Sequence, residues 1–502
     1  MNELLDIWVI GPWILGILFG LFVGSTPGLT ATMAVALVVP VSFYLPEPMG
    51  GIAMILGVSF TAIFAGDLPA TFLKIPGTPA SAAATLDAYQ MHLKGLGGQA
   101  IHINLLCSCL GGIIGVAILA FIGPVIARWS LKMDSPEYFW LSVAGISISA
   151  VVSGDRRLAG ALAALLGLFL STVGMDTING AQRMTFGTTD LQDGFQLIPM
   201  MIGLFGLSEI FSRVSRSRSR SGQNSSVGTG WKPVVLAGSL AKALKTVVRY
   251  PLSILRSSVL GTIIGALPGA GADIGAWVGY GVARKFSKNP EEFGHGSEAG
   301  VIAPTSANNA AVAGAWIPAL VFGIPGDAVT AIVLGALIMY DIEPGPHIFE
   351  TGGSGEGTSI QLLLWIAALT QILLFFVGLM GIRGFALMLR LPSRILEALI
   401  LMFCIVGAYS IRNSVFDLGV MTCFGLLGWF MNTRNIPVAP LLLGFILGES
   451  VEKHLRSGLI ASSGSLEPFF TSPFFYVLAA FMLGAWLVPV FLGRRKKVAS
   501  QE

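Results

Sequence analysis

Asn308 and Asn309 stand side by side in a stretch of small and apolar residues between Gly300 and Pro318. An amide side chain both donates and accepts, so the pair can meet either a carboxylate or a sodium ion. The other use of buried amides in membranes is to hydrogen-bond one helix to another, and the sequence leaves both readings open. Two proline-glycine clusters carry the same kind of chemistry. In Ile75-Pro76-Gly77-Thr78-Pro79-Ala80-Ser81, two prolines flank a glycine and no helix can propagate. The half-helix that follows must point unsatisfied N–H groups into the gap, which suits an anion, and Thr78 and Ser81 add hydroxyl donors. Ile324-Pro325-Gly326-Asp327 offers the same turn, with Asp327 placed either to cap the next helix or to ligate a coupling cation. Lys74, Pro76, Gly77, Thr78, Ser81, Asn308, Asn309, Pro325, Gly326 and Asp327 are therefore the candidate substrate-binding set.

Oxygen-rich breaks supply the candidate cation ligands. Ser25, Thr26, Gly28 and Thr30 surround Pro27, while Gly269, Ala270, Gly271 and Asp273 follow Pro268. Unwound carbonyls and hydroxyls at half-helix ends hold Na+ in transporters, and close glycine packing of helices gives a similar composition. Asp67 and Lys74 lie seven residues apart and share a face if helical. They either neutralise each other, leave Lys74 to attract an anionic substrate, or place its ammonium at the interface. Asp87 is expected to cap a helix or to pair with a loop base such as Lys94.

The elements that must position these groups are membrane helices. The chain of 502 residues is 54% hydrophobic and 11% charged, with a mean hydropathy of +0.78, against roughly 25% charged residues in soluble domains. Apolar runs recur along its length, and about 11 to 14 membrane segments, re-entrant helical hairpins included, are expected of an all-α polytopic membrane protein. The breaks recur in order. Pro27-Gly28 reappears as Pro268-Gly269 at an offset of 241 (268 minus 27), and Pro69 with Pro76-Gly77 reappears as Pro318 with Pro325-Gly326 at 249 (318 minus 69). The pattern predicts two structural repeats, inverted in the membrane, in which paired broken helices form the binding site of a secondary transporter.

The predicted organisation is a first half over residues 1–212 with a hairpin around 67–90, a basic linker over 213–252, a second half over 253–493 with a hairpin around 300–342, and a tail over 494–502. Nine Lys and Arg with no acidic residue lie between Ser212 and Arg256, and the C-terminus adds Arg494-Arg495-Lys496-Lys497, so linker and tail are expected in the cytoplasm. A basic run such as Arg216–Arg220 beside membrane spans reads as facing anionic lipid, not nucleic acid. Met1–Asp6 has no basic segment, and no cleavable signal peptide is expected. Four cysteines lie in apolar runs without disulfide or metal spacing, five histidines are scattered, and there is no phosphate loop. An enzyme is therefore not expected, and no organic cofactor. A passive anion channel or an intramembrane enzyme stands as the alternative to a transporter.

Leu73-Lys74-Ile75-Pro76-Gly77-Thr78-Pro79-Ala80-Ser81-Ala82-Ala83, continuing to Leu86-Asp87-Ala88-Tyr89-Gln90-Met91 and Lys94-Gly95, resembles the first signature of the tripartite tricarboxylate transporter large membrane subunit, TctA. Gly300-Val301 to Pro304, Ala307-Asn308-Asn309-Ala310-Ala311, Gly323-Ile324-Pro325-Gly326 and Gly345-Pro346 resemble the second. The resemblance runs from about Gly16 to beyond Pro440. It implies uptake of a tricarboxylate or dicarboxylate across the bacterial inner membrane, driven by a cation gradient of Na+ or H+. It further implies a small four-span TctB-like subunit and a periplasmic TctC-like solute-binding protein as partners, and a homodimer is a further expectation. The chain departs from the family pattern at Lys74, where a small polar residue such as Asn is common, at Thr305 for Glu, and at Asp327 for Ser. All three fall in the expected site and bear on the substrate.

Overall fold

The computed structural model describes residues 6–26, 29–152, 156–176, 178–219, 238–349, 356–388 and 393–499. Pro27, Gly28, Arg220 and the linker to residue 237 lie outside them, as does the tail beyond residue 499. In chain order the helices are α1 (Ile7–Ser25), α2 (Ala31–Ser42), α3 (Pro48–Ala65), α4 (Asp67–Leu73), α5 (Ala82–Met91), α6 (Gly97–Ser130), α7 (Ser135–Val152) and α8 (Arg157–Ser171). A two-stranded antiparallel piece, β1 (Gly174–Met175) with β2 (Gln182–Arg183), pairs Gly174 with Arg183. There follow α9 (Leu197–Met201), α10 (Ser208–Ser219), α11 (Ser239–Arg249), α12 (Pro251–Gly265), α13 (Gly271–Lys285), α14 (Glu298–Phe322) and α15 (Ala328–Met339). The chain ends with α16 (Glu356–Met388), α17 (Ser393–Ser410), α18 (Val415–Thr433), α19 (Ala439–Ala461), α20 (Glu467–Thr471) and α21 (Pro473–Ala499). The fold is all-α and polytopic.

Among the described residues, six helices are long and apolar enough to cross a bilayer, and α11 with α12, bent by 78°, make a seventh if the pair counts as one span. Shorter apolar helices stand beside them, so the segments expected from the apolar runs comprise complete crossings and shorter pieces. The shorter pieces include α2, α8 and α15, which are only 12 to 15 residues long, where a complete crossing takes about 20 residues. Proline and glycine do the cutting. Gly66 separates α3 from α4, and the span Pro48–Leu73 that they compose is enclosed almost wholly by protein. Helix starts are fixed locally: the Asp6 carboxylate accepts from Trp8 N–H at 2.9 Å and the Thr30 hydroxyl from Met33 N–H at 3.2 Å, satisfying donors with no partner inside the helix.

The chain divides into two compact units. The first takes in residues 1–127, 198–266 and 270–430, and so contains both proline-glycine turns. Its helices meet through small residues. Gly20 and Gly24 of α1 lie on the backbone of Val58 and Ala62 in α3, and Gly261 and Gly265 of α12 lie on Ala307 and Ala311 in α14. Side chains at those glycines would hold the helix pairs apart. Helix α11, in the last part of the basic linker, buries Ala243 and Val247 against Ile103 of α6 and Val301 of α14.

The second unit takes in residues 128–197, 267–269 and 431–502. There Gly167 of α8 approaches Leu441 of α19 and Gly444 approaches Ala164. Beside β1 and β2, Asp176 pairs with Arg456 at 2.6 Å and Arg183 at 2.7 Å, while Glu452 accepts from both arginines.

Candidate functional site

The first turn begins where α4 stops. Lys74 takes a left-handed conformation, φ 60°, and the Pro69 carbonyl accepts from Ile75 N–H at 3.4 Å. The second begins where α14 stops: Gly323 has φ 66°, and the Pro318 carbonyl accepts from Ile324 N–H at 3.2 Å. Both are helix ends closed by a residue in the left-handed region. They correspond at an offset of 249 (323 minus 74, 318 minus 69).

The glycine of each turn then sits on another helix end. A Cβ at Gly77 would overlap the Gly24 carbonyl of α1 and Gly66, and one at Gly326 would overlap the Gly265 carbonyl of α12 and Ala315. The end of α1, just before Pro27, is thus held against Gly77, and the end of α12, just before Pro268, against Gly326. Within each half, the two motifs separated in sequence meet at one place.

The next helix starts differently in the two turns. Asp327 caps α15 as half of a reciprocal pair: Oδ1 accepts from Thr330 N–H at 2.8 Å, and Thr330 Oγ1 accepts from Asp327 N–H at 2.9 Å. The side chains at the matching offset, Thr78 and Ser81, bond to each other, Oγ1 to Oγ at 2.9 Å, and Thr78 caps no backbone N–H. The carboxylate beside that uncapped start comes from elsewhere: Asp273, in the first turn of α13, lies against Ala80 N–H and within electrostatic range of Asp327. Gly271 packs on the Asp327 side chain at Oδ2. Lys74, Ile75 and Pro76 are exposed, while Ile324, Pro325 and Gly326 are buried.

Asn308 and Asn309 are completely buried in α14, and none of their four amide atoms has a hydrogen-bond partner. Across the described residues, five of the fourteen buried polar side-chain atoms left unpartnered belong to Asn308, Asn309 and Trp316 of the one helix α14. An unmet buried polar group costs roughly 1–3 kcal/mol, so this concentration marks polar surface that a guest can satisfy. One helical turn before Asn308, Thr305 donates to Asn104 Oδ1 at 2.7 Å, and Asn104 donates to Thr71 at 3.2 Å, tying α14, α6 and α4 together.

The remaining candidates fall as follows. Ser25 and Thr26 hydroxyls both donate to the Phe22 carbonyl, and Thr30 caps α2. Gly28 lies outside the described residues. Gly269, φ 82°, packs on Ser149 of the second unit. Asp67 and Lys74 do not pair. The helix ends at Leu73, so Lys74 leaves the face that the seven-residue spacing assigned to it, and its ammonium lies over the Tyr89 ring at 5.6 Å from the centroid. Nor does Asp87 pair with Lys94. Asp87 Oδ1 accepts from the N–H groups of Gly294, Gly296 and Ser297 at 2.8–2.9 Å, and Oδ2 accepts from Tyr280 Oη at 2.9 Å. Lys94 donates to the carbonyl of His295 in that same loop at 2.6 Å. The two charges clamp one loop from two points. Asn104 and Tyr280 carry no sequence motif and become visible only through these contacts.

The amino-acid sequence has relatives among known proteins. The model of the tripartite tricarboxylate transporter TctA family matches residues 10–443. Over 490 residues, 97% of this chain and 95% of the relative, it is 34% identical to an Agrobacterium vitis protein described as an uncharacterized 52.8 kDa protein in the TAR-I ttuC' 3' region. A second Agrobacterium vitis protein, described as an uncharacterized protein in the TAR-II ttuC' 3' region, is 39% identical over 241 residues, 48% of this chain and 96% of the relative. No solved structure matches the chain. With most of its length inside the family match and a full-length relative alongside, this chain belongs to the tripartite tricarboxylate transporter TctA family, a family of large membrane subunits.

Proposed function

We propose that this chain takes up a small carboxylate, dicarboxylate or tricarboxylate, against its gradient by alternating access, driven by inward flow of a cation, with Na+ the first candidate. The observation that carries the reading is the orphaned pair Asn308 and Asn309: fully buried amides with four unmet atoms. The unequal turns supply a division of labour. At the first, no side chain of the turn itself caps the helix start: Thr78 and Ser81 bond to each other, the Asp273 carboxylate of α13 lies against Ala80 N–H, and Lys74 supplies a positive charge. That turn, with Pro76, Gly77 and the asparagines, suits the substrate's carboxylate. At the second, Asp327 already fills the helix start, so an incoming anion meets a fixed negative charge. Asp327 with Asp273 and the backbone at Gly271 suits the cation, as do Ser25, Thr26 and Thr30 in the first half.

The shared offset of the two turns, and the like seating of each on a helix-end glycine, Gly24 and Gly265, support two structural repeats, arranged so that each hairpin reaches the site from its own side. A TctB-like small subunit and a periplasmic TctC-like binding protein are the partners of this reading, and the bacterial inner membrane is its setting. The test is uptake of labelled dicarboxylates and tricarboxylates in proteoliposomes carrying the full three-component system. Asn308→Leu and Asn309→Leu should insert normally and lose uptake. Unchanged transport kinetics in both variants would sink the assignment, and flux indifferent to every cation gradient would favour a passive channel.

A further inference from the structure

Four carboxylates surround the two turns, and the structure treats them differently. Asp87 is held by four donors, Asp327 closes a reciprocal cap, and Asp273 is exposed and lies against Ala80 N–H. Asp67 has none of this. It is fully buried, and among the described residues it is the one carboxylate whose two oxygens are both enclosed and without a hydrogen bond. Its polar neighbour is the hydroxyl of Ser81, which already shares a hydrogen bond with Thr78.

None of the charged groups on the elements around it hydrogen-bonds to the Asp67 carboxylate. Neither α1 nor α3 contains a charged residue. From α5 come Asp87 and Tyr89, the first clamped and the second under the Lys74 ammonium. From α6, whose Ile101 and Leu105 pack with Leu68 and Phe72, comes His102, bonded to Gly98 O and Ser239, with Cys107 and Cys109 beyond it. From α16 comes Arg383, and from α13, Asp273, a like charge. An ionised carboxylate deprived of both water and partner is untenable in such surroundings, and the economical remedy is a proton. The polar group within hydrogen-bonding reach of the carboxylate is the Ser81 hydroxyl, which can accept a hydrogen bond from a neutral carboxyl.

We propose that Asp67 is a proton-carrying site that couples transport to the proton gradient, a role beyond cation binding at Asp327 and Asp273. It rests on the transporter reading. The position is apt: Asp67 follows Gly66, the joint between α3 and α4, directly, and Gly66 lies against Ser81, Thr78 and Gly77. In the enclosed state an O–H bond on the Asp67 carboxyl keeps it neutral. When the region of the first turn opens to the cytoplasm, that bond breaks, the proton leaves to water, and the residual carboxylate is solvated. A new proton from the opposite side restores the neutral form before closure, so one proton crosses per cycle.

The test uses the reconstituted three-component system with equal Na+ on both faces and an acid-outside pH gradient. Wild type should accumulate labelled carboxylate. Asp67→Asn, a fixed neutral replacement, should lose that accumulation completely while carboxylate exchange at equilibrium continues near the wild-type rate. Asp67→Thr offers a second neutral side chain should the amide fail to fold. Separately, infrared difference spectra of the wild type should show a protonated carboxyl band that shifts in heavy water and is missing from both variants. Absence of that band, pH-driven accumulation by Asp67→Asn, or wild-type accumulation driven by Na+ and never by a pH gradient overturns the proposal. Absence of any carboxylate exchange by wild type removes the transport reading instead, and the infrared band still decides the state of Asp67.

Discussion

The turn at Lys74–Ser81 and the turn at Gly323–Thr330 share a backbone and differ in nearly every polar side chain. Each ends a helix in the left-handed region, each returns an isoleucine N–H to a proline carbonyl, and each seats a glycine on a neighbouring helix end. Geometry is conserved between the two while charge is not: Lys74 stands against Gly323, and Thr78 against Asp327. The lesson is that the backbone turn is the common device and the side chains at its rim decide which sign of charge it receives. Experiments can attack the common part and the differing part separately.

The largest effect should come from the common part. Gly77→Ala and Gly326→Ala each push a methyl group into a backbone carbonyl and a neighbouring Cα. Overpacking against backbone costs roughly 1–3 kcal/mol or more, and because both turns are seated alike, both variants should fall in thermal stability by similar amounts and lose uptake. Fluorescence-detected size exclusion after heating measures this. A tolerant Gly326 beside an intolerant Gly77 would break the equivalence.

Next comes the charge. Asp327→Asn keeps a good helix cap, since asparagine is among the best N-cap residues, and removes only the negative charge. The half-saturating cation concentration should rise at least about tenfold, a change worth about 1.4 kcal/mol, with the KM for carboxylate nearly unmoved. Thr78→Val should do the reverse. If both variants shift the same constant, the division of labour between the turns is wrong.

Lys74→Gly sharpens the comparison with a smaller effect, because it turns the first helix end into a copy of the second. A non-glycine residue in the left-handed region costs roughly 1–3 kcal/mol, so the variant should melt later. It should also bind the carboxylate several-fold more weakly for want of the ammonium. Gain in stability with loss of affinity is the signature of a residue retained for its charge. A variant that is both less stable and unchanged in KM would assign Lys74 a packing role on Tyr89.

The turns themselves were legible in the sequence because proline and glycine act on their own neighbours: Pro76-Gly77 and Pro325-Gly326 break helices whatever surrounds them. The all-α membrane class followed from apolar run length for a similar reason. Relations between distant residues were not legible. Asp67 and Lys74 looked like partners by spacing, but spacing holds only while the helix continues, and it ends at Leu73. Asp87 finds its donors at residues 280 and 294–297, about two hundred positions away, through packing that no local pattern encodes. The membrane segments were legible as apolar runs, but which of them are complete crossings and which are shorter helices was not, because an apolar run records burial and a helix enclosed by other helices needs no lipid-spanning length.

The smallest expected effect lies outside both turns and serves as their control. In the second unit, the hydrogen bond from Arg456, helped by N–H groups of Ile178 and Asn179 and by the charge of Arg183, holds the Asp176 carboxyl well below the usual carboxylate range. A carboxyl depressed in the folded state stabilises wherever it is ionised, above its unfolded value of about 4, and that contribution disappears as pH falls through the depressed value. Thermal stability should therefore owe nothing to this cluster's titration between about pH 5 and 8, with its share of any loss confined to below about pH 4, and Asp176→Asn should flatten the acid limb. Any pH dependence of transport near neutrality then does not come from the Asp176 carboxyl loosening the loop at β1 and β2. An Asp176→Asn variant whose transport profile shifted near neutral pH would overturn that exclusion.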